Sequence, residues 1–94
     1  MPPGFEWDEV KATANEGKHA VTFAEAATVF ADSLAAIHGD PDHSEDEERE
    51  IIVGYSQRDR LLVVSYTSRP PNRRIISARR ASPKERHKHE QNPM

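Results

Sequence analysis

The chain has 94 residues, a formal net charge of −3, 31% charged and 35% hydrophobic residues, and no cysteine. This length fits one domain with a core of modest size, and the lack of cysteine excludes disulfides and thiolate metal sites. No signal peptide or membrane-spanning apolar run is recognisable, so a cytoplasmic location without membrane contact is expected. Charge is distributed unevenly: residues 69–94 carry eight basic and two acidic side chains, whereas residues 40–50 carry one basic and seven acidic ones.

Two helices are predicted in the N-terminal third of the chain. Asp8 is a suitable N-cap for a helix over residues 9–16, which Gly17 ends. Thr22 and Glu25 form a T-x-x-E capping box for the second helix. The apolar residues that follow at helical spacing are Phe23, Ala26, Ala27 and Phe30. These helices are expected to pack on a sheet.

The rest of the chain is predicted to form four strands and a last helix. The strands are expected over residues 34–38, 51–56, 60–67 and 74–80, with an acidic loop at 39–50. Ser82 and Glu85 form an S-x-x-E box at the start of a helix that is polar on all sides. The predicted fold class is α+β, in the order α-α-β-β-β-β-α with an antiparallel sheet. It forms a single domain over residues 1–94, of which 1–4 and 91–94 are expected to be disordered.

The last hairpin determines where two arginines fall. Two consecutive prolines, Pro70-Pro71, cannot continue a strand ladder and therefore place the turn. The resulting register pairs Tyr66 with Ile75, Val64 with Ser77, and Leu62 with Arg79. Because side chains alternate along a strand, Arg79 shares the face of Leu62 and Arg80 takes the other. Both faces are apolar in the middle, so both need a cover.

No motif indicates covalent or nucleotide-dependent catalysis, since G-x-S-x-G and a P-loop are both missing. Metal-ligating side chains occur together at His38, Asp40, Asp42, His43 and Glu45, but without a known ligand spacing, so no metal site is predicted. The reaction that remains possible is RNA cleavage in which the 2′-OH of the substrate is the nucleophile. The protein then has to supply a proton acceptor, a proton donor and cations. Arg79 and Arg80 beside a helix with Glu85, His87 and His89 can supply these groups. Lys18 and His19 can add a phosphate contact.

Four blocks of the sequence resemble the BrnT family of toxins over about residues 5–90. They are FEWDEVKATANEGKHAVTFAEA, DHSEDEERE with the following I-x-x-G, LLVVSYT, and RIISARRAS with KER in the last helix. The resemblance implies a RelE-like fold and a metal-independent ribonuclease without cofactor, the toxin of a type II toxin–antitoxin pair. It also implies an RNA substrate and a BrnA-like ribbon-helix-helix antitoxin, with operator DNA bound only through the complex. That antitoxin would cover the sheet face which the N-terminal helices leave open.

The matching motifs carry over the positions Lys18, His19, Glu48, Arg49, Tyr66, Arg79, Arg80, Glu85, Arg86 and Glu90. Together, the matching motifs and the chemistry of the residues predict six catalytic residues: Lys18, His19, Arg79, Arg80, Glu85 and His89. The residues predicted to bind RNA are Tyr66, Arg74, Lys84 and Arg86. The sequence departs from the family pattern at Ala20, where a glycine is usual, at His89, where a tyrosine is usual, and at the Pro-Pro turn. A catalytically inactive nucleic-acid-binding or regulatory protein and a metal-dependent enzyme are the alternatives.

Overall fold

A computed structural model describes residues 1–40 and 48–91, and these form an α+β fold of three α-helices and a five-stranded mixed sheet. In chain order the elements are β1 (Phe5–Glu6), α1 (Glu9–His19), α2 (Phe23–Thr28) with a 3-10 turn (Val29–Ala31), β2 (Ala36–Gly39), β3 (Arg49–Tyr55), β4 (Leu61–Arg69), β5 (Asn72–Arg80) and α3 (Pro83–Glu90). The strand order is β1-β5-β4-β3-β2. Strands β2 to β5 pair antiparallel, and β1 runs parallel to β5.

The α+β class is confirmed, whereas the predicted four-stranded antiparallel sheet is a five-stranded mixed sheet, because β1 adds a parallel strand beside β5. Gly4 adopts a φ of 86°, and its carbonyl accepts a 2.9 Å hydrogen bond from the Arg73 N–H. The Glu6 carboxylate then binds Asn72 and Arg74 of β5. Pro3 and Gly4 form a turn that leads into β1. A two-residue strand has no periodicity from which it could be predicted.

The helix starts follow the predicted caps, whereas the helix ends differ. The Asp8 carboxylate accepts from two backbone N–H groups of α1. Gly17 lies inside α1 instead of ending it, because the left-handed residue that ends the helix is Ala20, at φ 58°. Thr22 caps α2, but the Glu25 carboxylate does not complete the box, since it is buried against Arg60.

The register of the last hairpin contains a β-bulge. Tyr66 pairs with Ile75, as predicted, but Ser65 pairs with Ser77, so Ile76 is an extra residue in β5. From there on the predicted pairs are wrong by one residue: Val64 pairs with Ala78, Val63 with Arg79, and Leu62 with Arg80. Arg79 therefore shares a sheet face with Val63, and Arg80 shares the opposite face with Leu62. A bulge of this kind exchanges the faces of all residues beyond it.

Helices α1 and α2 cover one face of the sheet and form the core with it. The fully buried side chains include Val21, Phe23, Val29, Leu62, Val64 and Ile75. The opposite face carries Val53 and Val63 and is overlaid by α3 near one end. No helix in the described part of the chain is long and apolar enough to cross a membrane. The predicted acidic loop lies largely outside the described residues, as do three of the four C-terminal residues expected to be disordered.

Candidate active site

The sheet face opposite the core ends in an apolar groove beneath α3. The groove encloses about 320 Å³. Its floor is formed by the sheet residues Ala36, Ile51, Val53 and Val63, with Leu34 beside them. Its polar edge is formed by His38, Arg79, Glu85, Lys88 and His89. An apolar floor beside cationic and imidazole groups is the kind of surface that orients a ligand through a few polar contacts.

Arg79 meets α3 through a two-point ion pair. Its guanidinium donates to both carboxylate oxygens of Glu85, at 2.7 and 2.8 Å. The same carboxylate accepts from the Ser82 N–H at 2.8 Å, which completes the capping box predicted for this helix. Hydrogen bonds from Arg79 lower the pKa of Glu85 to about 2, and the pair raises the pKa of Arg79. Glu85 is therefore a carboxylate with little affinity for a proton at neutral pH.

Arg80 leaves β5 on the other side and lines a second, more open recess of about 560 Å³. The remaining lining residues are Ala81, Pro83, Arg86, His87 and Glu90. The groove and this recess thus lie on the two sides of α3, and an arginine of β5 stands in each. Arg79, Arg80, Lys84, Arg86 and Lys88 are here called the basic rim. Lys84 and Arg86 are exposed on α3, so the predicted basic cluster is assembled around this helix.

Tyr55 is a residue of this region that the sequence did not single out. Its hydroxyl donates to Glu90 of α3 at 3.2 Å, and its ring centroid lies 6.2 Å from that of His89. Burial and then the hydrogen bond to Glu90 raise the pKa of Tyr55, so the phenol stays protonated. His38 on β2 is a second unpredicted site residue. Strand alternation places both on the groove face, but nothing in the sequence shows that α3 folds back over them.

Lys18 and His19 lie in the last turn of α1, which packs on the core face of the sheet. In the same helix, Asn15 hydrogen-bonds to the backbone of Ala78, two residues before Arg80. The end of α1 therefore adjoins the end of β5 on the side where Arg80 emerges. Lys18 is exposed and His19 is partly buried.

Tyr66 and Arg74 are not brought together with α3. Tyr66 is 3% exposed in the core and donates its hydroxyl to Glu50 at 3.1 Å. Burial raises the pKa of Tyr66 to about 12. Arg74 pairs with Glu6 of β1 at 2.9 Å. Arg74 lies five positions before Arg79 on β5, which is roughly 17 Å at about 3.3 Å per residue.

Across residues 1–40 and 48–91, no group of three or more His, Cys, Asp or Glu side chains is placed to hold a metal ion. Two of the metal-ligating side chains considered from the sequence, His38 and Asp40, belong to this part. Asp42, His43 and Glu45 lie outside the described residues.

A small α+β domain with arginines and histidines gathered around one helix, beside an apolar groove, has the charge and proton-transfer groups of an RNA-processing protein. A family model described as "Ribonuclease toxin, BrnT, of type II toxin-antitoxin system" matches residues 7–85. The chain belongs to this family of BrnT ribonuclease toxins. The family resemblance found in the sequence is thereby confirmed.

The crystal structure of the ribonuclease toxin BrnT from Brucella abortus is similar to this chain, with a TM-score of 0.61. The alignment covers 83% of this chain and 95% of that one at 22% sequence identity. The structural similarity shows a shared fold, and at this sequence identity it shows the fold alone. No curated protein matches the chain.

Proposed function

We propose that this protein is a metal-independent endoribonuclease, the toxin of a type II pair, which cuts RNA around the basic rim and so inhibits translation. The observation that carries the proposal is the position of Arg79 and Arg80. These neighbours on β5 leave the sheet on opposite faces, and both meet α3. The two arginines therefore place one guanidinium group on each side of α3, and guanidinium groups are the side chains best suited to bind RNA phosphates.

The reaction follows from the groups that surround this junction. The 2′-OH of the substrate attacks the adjacent phosphorus atom, and the bond from phosphorus to the leaving 5′-oxygen breaks. One imidazole takes the proton of the 2′-OH, and another protonates the 5′-oxygen. The candidates are His89 and His38, because both line the groove with Arg79 and an imidazole can take or give a proton. Arg79 stabilises the additional negative charge on the phosphoryl oxygens, and Arg80 binds a neighbouring phosphate on the other side of α3.

Glu85 has a different part in this scheme from the one predicted. A carboxylate whose pKa is held at about 2 is a poor general base. Its two hydrogen bonds to Arg79 instead orient the guanidinium towards the groove. Lys18 and His19 are proposed to contact a phosphate further along the RNA on the Arg80 side. Lys84 and Arg86 add positive charge there, which strengthens RNA binding at low salt.

The proposed partner is a ribbon-helix-helix antitoxin of the BrnA type, which the membership of a toxin–antitoxin family supports. The antitoxin would cover the sheet face that α3 leaves open, where Leu34 is 64% exposed. Operator DNA would be bound through the complex. The proposed location is the cytoplasm, where the RNA substrate is found.

The test is cleavage of a radiolabelled RNA in buffer with EDTA. The parent chain is expected to cut under these conditions, and Arg79→Ala to cut about 100-fold more slowly, as for other losses of a transition-state donor. Lys11→Ala removes the same charge from the exposed first half of α1 and serves as the matched control. Activity that chelation abolishes would favour a metal-dependent enzyme, and RNA binding without cleavage would favour an inactive binding protein.

A further inference from the structure

Asn15 of α1 is a buried polar residue whose side chain binds the backbone of the last strand. It is 8% exposed. Its amide nitrogen donates to the carbonyls of Val21 at 3.0 Å and Ala78 at 2.9 Å, and its oxygen accepts from the Ala78 N–H at 3.1 Å. Asn15 therefore satisfies both backbone polar groups of Ala78, which directly precedes Arg79.

This contact takes the place of a neighbouring strand. β1 runs beside β5 at Arg73 and Arg74, ahead of Ala78. The N–H and C=O of Ala78 point away from β4, and a buried backbone group without a partner is costly. A side-chain amide offers one donor and one acceptor, as a peptide group does. Asn15 therefore pairs with the edge of β5 as a one-residue strand would.

The hydrogen bonds between Asn15 and Ala78 bear on the register of β5, because a β-bulge lies beside them. Ile76 is the extra residue, and Val64 pairs with Ala78 because of it. Without the bulge, β5 would shift by one residue, and Ala78 would turn its polar groups towards β4 and away from Asn15. The same shift would move Arg79 from the groove face to the core face. The hydrogen bonds of Asn15 are available in the bulged register, so they favour it.

We infer that Asn15 is a positioning residue of the ribonuclease site: by holding Ala78, it keeps β5 in the bulged register that directs Arg79 into the groove and Arg80 into the opposite recess. The inference rests on the proposed function for its catalytic consequence. Arg79 reaches Glu85 of α3 from the groove face, so the ion pair at 2.7 Å also depends on this register. Asn15 itself acts through Arg79 and is not assigned a contact with RNA.

A double-mutant cycle separates positioning from a general effect on stability. Asn15→Ala is expected to lower the single-turnover cleavage rate of the folded protein by about 10- to 100-fold, as for a misplaced catalytic group. In an Arg79→Ala background the same substitution is expected to lower the rate by about twofold or less, because the group it positions is already missing.

Thr67→Val provides the matched control for the cycle. Thr67 is 3% exposed and donates to the carbonyl of Glu48 at 2.7 Å, in the half of β4 away from α3. Like Asn15→Ala, Thr67→Val removes a buried hydrogen bond between a side chain and the backbone. The rates are compared below each variant's unfolding transition. The control is expected to change the rate by the same small factor with and without Arg79.

A register measurement completes the test and does not depend on catalysis. Paired residues that do not exchange backbone hydrogen bonds bring their Cα atoms to about 4.5 Å, so the parent is expected to show a nuclear Overhauser contact between the Hα atoms of Val64 and Ala78. Asn15→Ser, the milder variant if Asn15→Ala does not fold, is expected to weaken it. An unchanged contact in Asn15→Ser, or an equal rate factor for Asn15→Ala in both backgrounds, would overturn the inference. A parent that does not cut RNA would instead refute the proposed function, and the register measurement would still decide the role of Asn15.

Discussion

Helix α3 is predicted to depend on Glu85 for its attachment to the sheet, and Glu85→Gln is the substitution that tests this. All eight residues of α3 are described, and none of them is buried. The helix is therefore held by polar contacts, chiefly the Arg79–Glu85 ion pair and the capping box at Ser82. Glutamine has the same shape as glutamate but lacks the charge that holds both guanidinium nitrogens.

The expected magnitude follows from the exposure of the pair. A fall in the pKa of Glu85 from its ordinary 4.5 to about 2 corresponds in full to about 3 kcal/mol. The side chains of Arg79 and Glu85 are 44% and 38% exposed, however, so solvent screens their interaction. Exposed ion pairs contribute about 0.2–1 kcal/mol, and the bidentate geometry places this one near the upper end. We expect about 1 kcal/mol, or roughly a fivefold rise in the local opening constant of α3.

Amide hydrogen exchange measures this opening directly. The reporters are the N–H groups of Arg86 and Gln91, which donate to carbonyls within α3 and its cap at 2.8 and 3.0 Å. Both are expected to exchange about fivefold faster in Glu85→Gln, whereas the amides of β4 keep their rates. Glu16→Gln, on the exposed side of α1, is the charge-matched control.

The pH dependence has a definite sign. The folded-state pKa of Glu85 lies below its unfolded value, so its contribution is fully present above pH 4.5 and is lost as the pH falls towards 2. The difference between parent and Glu85→Gln should therefore be smaller at pH 3 than at pH 6. Equal exchange rates in Glu85→Gln and Glu16→Gln at pH 6 would refute the reasoning.

Three further predictions concern the fold around the site. Glu25 is 4% exposed and pairs with Arg60, so Glu25→Gln should lower the free energy of unfolding in urea by about 3 kcal/mol. A decrease of less than about 1 kcal/mol would contradict this prediction. Gly54→Ala would place a Cβ 2.7 Å from the Cβ of Ala35, so the free energy of unfolding should fall by about 1–3 kcal/mol, and an unchanged thermal midpoint would argue against the contact. Tyr55→Phe removes the hydrogen bond that the hydroxyl donates to Glu90 of α3, so the amides of α3 should exchange about two- to fivefold faster. Unchanged exchange rates would show that this hydrogen bond does not hold the helix.

The parts of the fold that the sequence predicted are those with local signals. Asp8, Thr22 and Ser82 each cap a helix as expected, because an N-cap needs a side chain within three residues of the groups that it binds. The bulge at Ile76 has no such signal, since Ile75 and Ile76 are the same residue type and either register can bury an isoleucine. Its position depends on Asn15, more than sixty residues earlier in the chain, and one misplaced residue exchanged the faces of Arg79 and Arg80.

The candidate site also combines residues that are close in sequence with residues that only the fold brings near. Arg79, Arg80, Glu85 and His89 are close in sequence, and the structure brings them together around α3. The family motif and the residue chemistry also selected Tyr66 and Arg74, which the same hairpin carries to its other end. Tyr55 and His38 were missed because only the folded chain brings them near α3: Tyr55 hydrogen-bonds to Glu90, and His38 lines the groove with Lys88 and His89.

The weak attachment of α3 is consistent with the proposed chemistry. Arg79 is engaged by Glu85, so an RNA phosphate has to share its guanidinium or replace the carboxylate. The contact to be replaced is worth about 1 kcal/mol at this exposure, and a phosphate bound by the same exposed guanidinium is screened to a similar degree. The exchange therefore costs little, and the other cations of the basic rim supply the net affinity for RNA. Without RNA, Glu85 keeps Arg79 extended on the groove face, where β5 has already directed it, so that binding requires a change of partner and not a change of register.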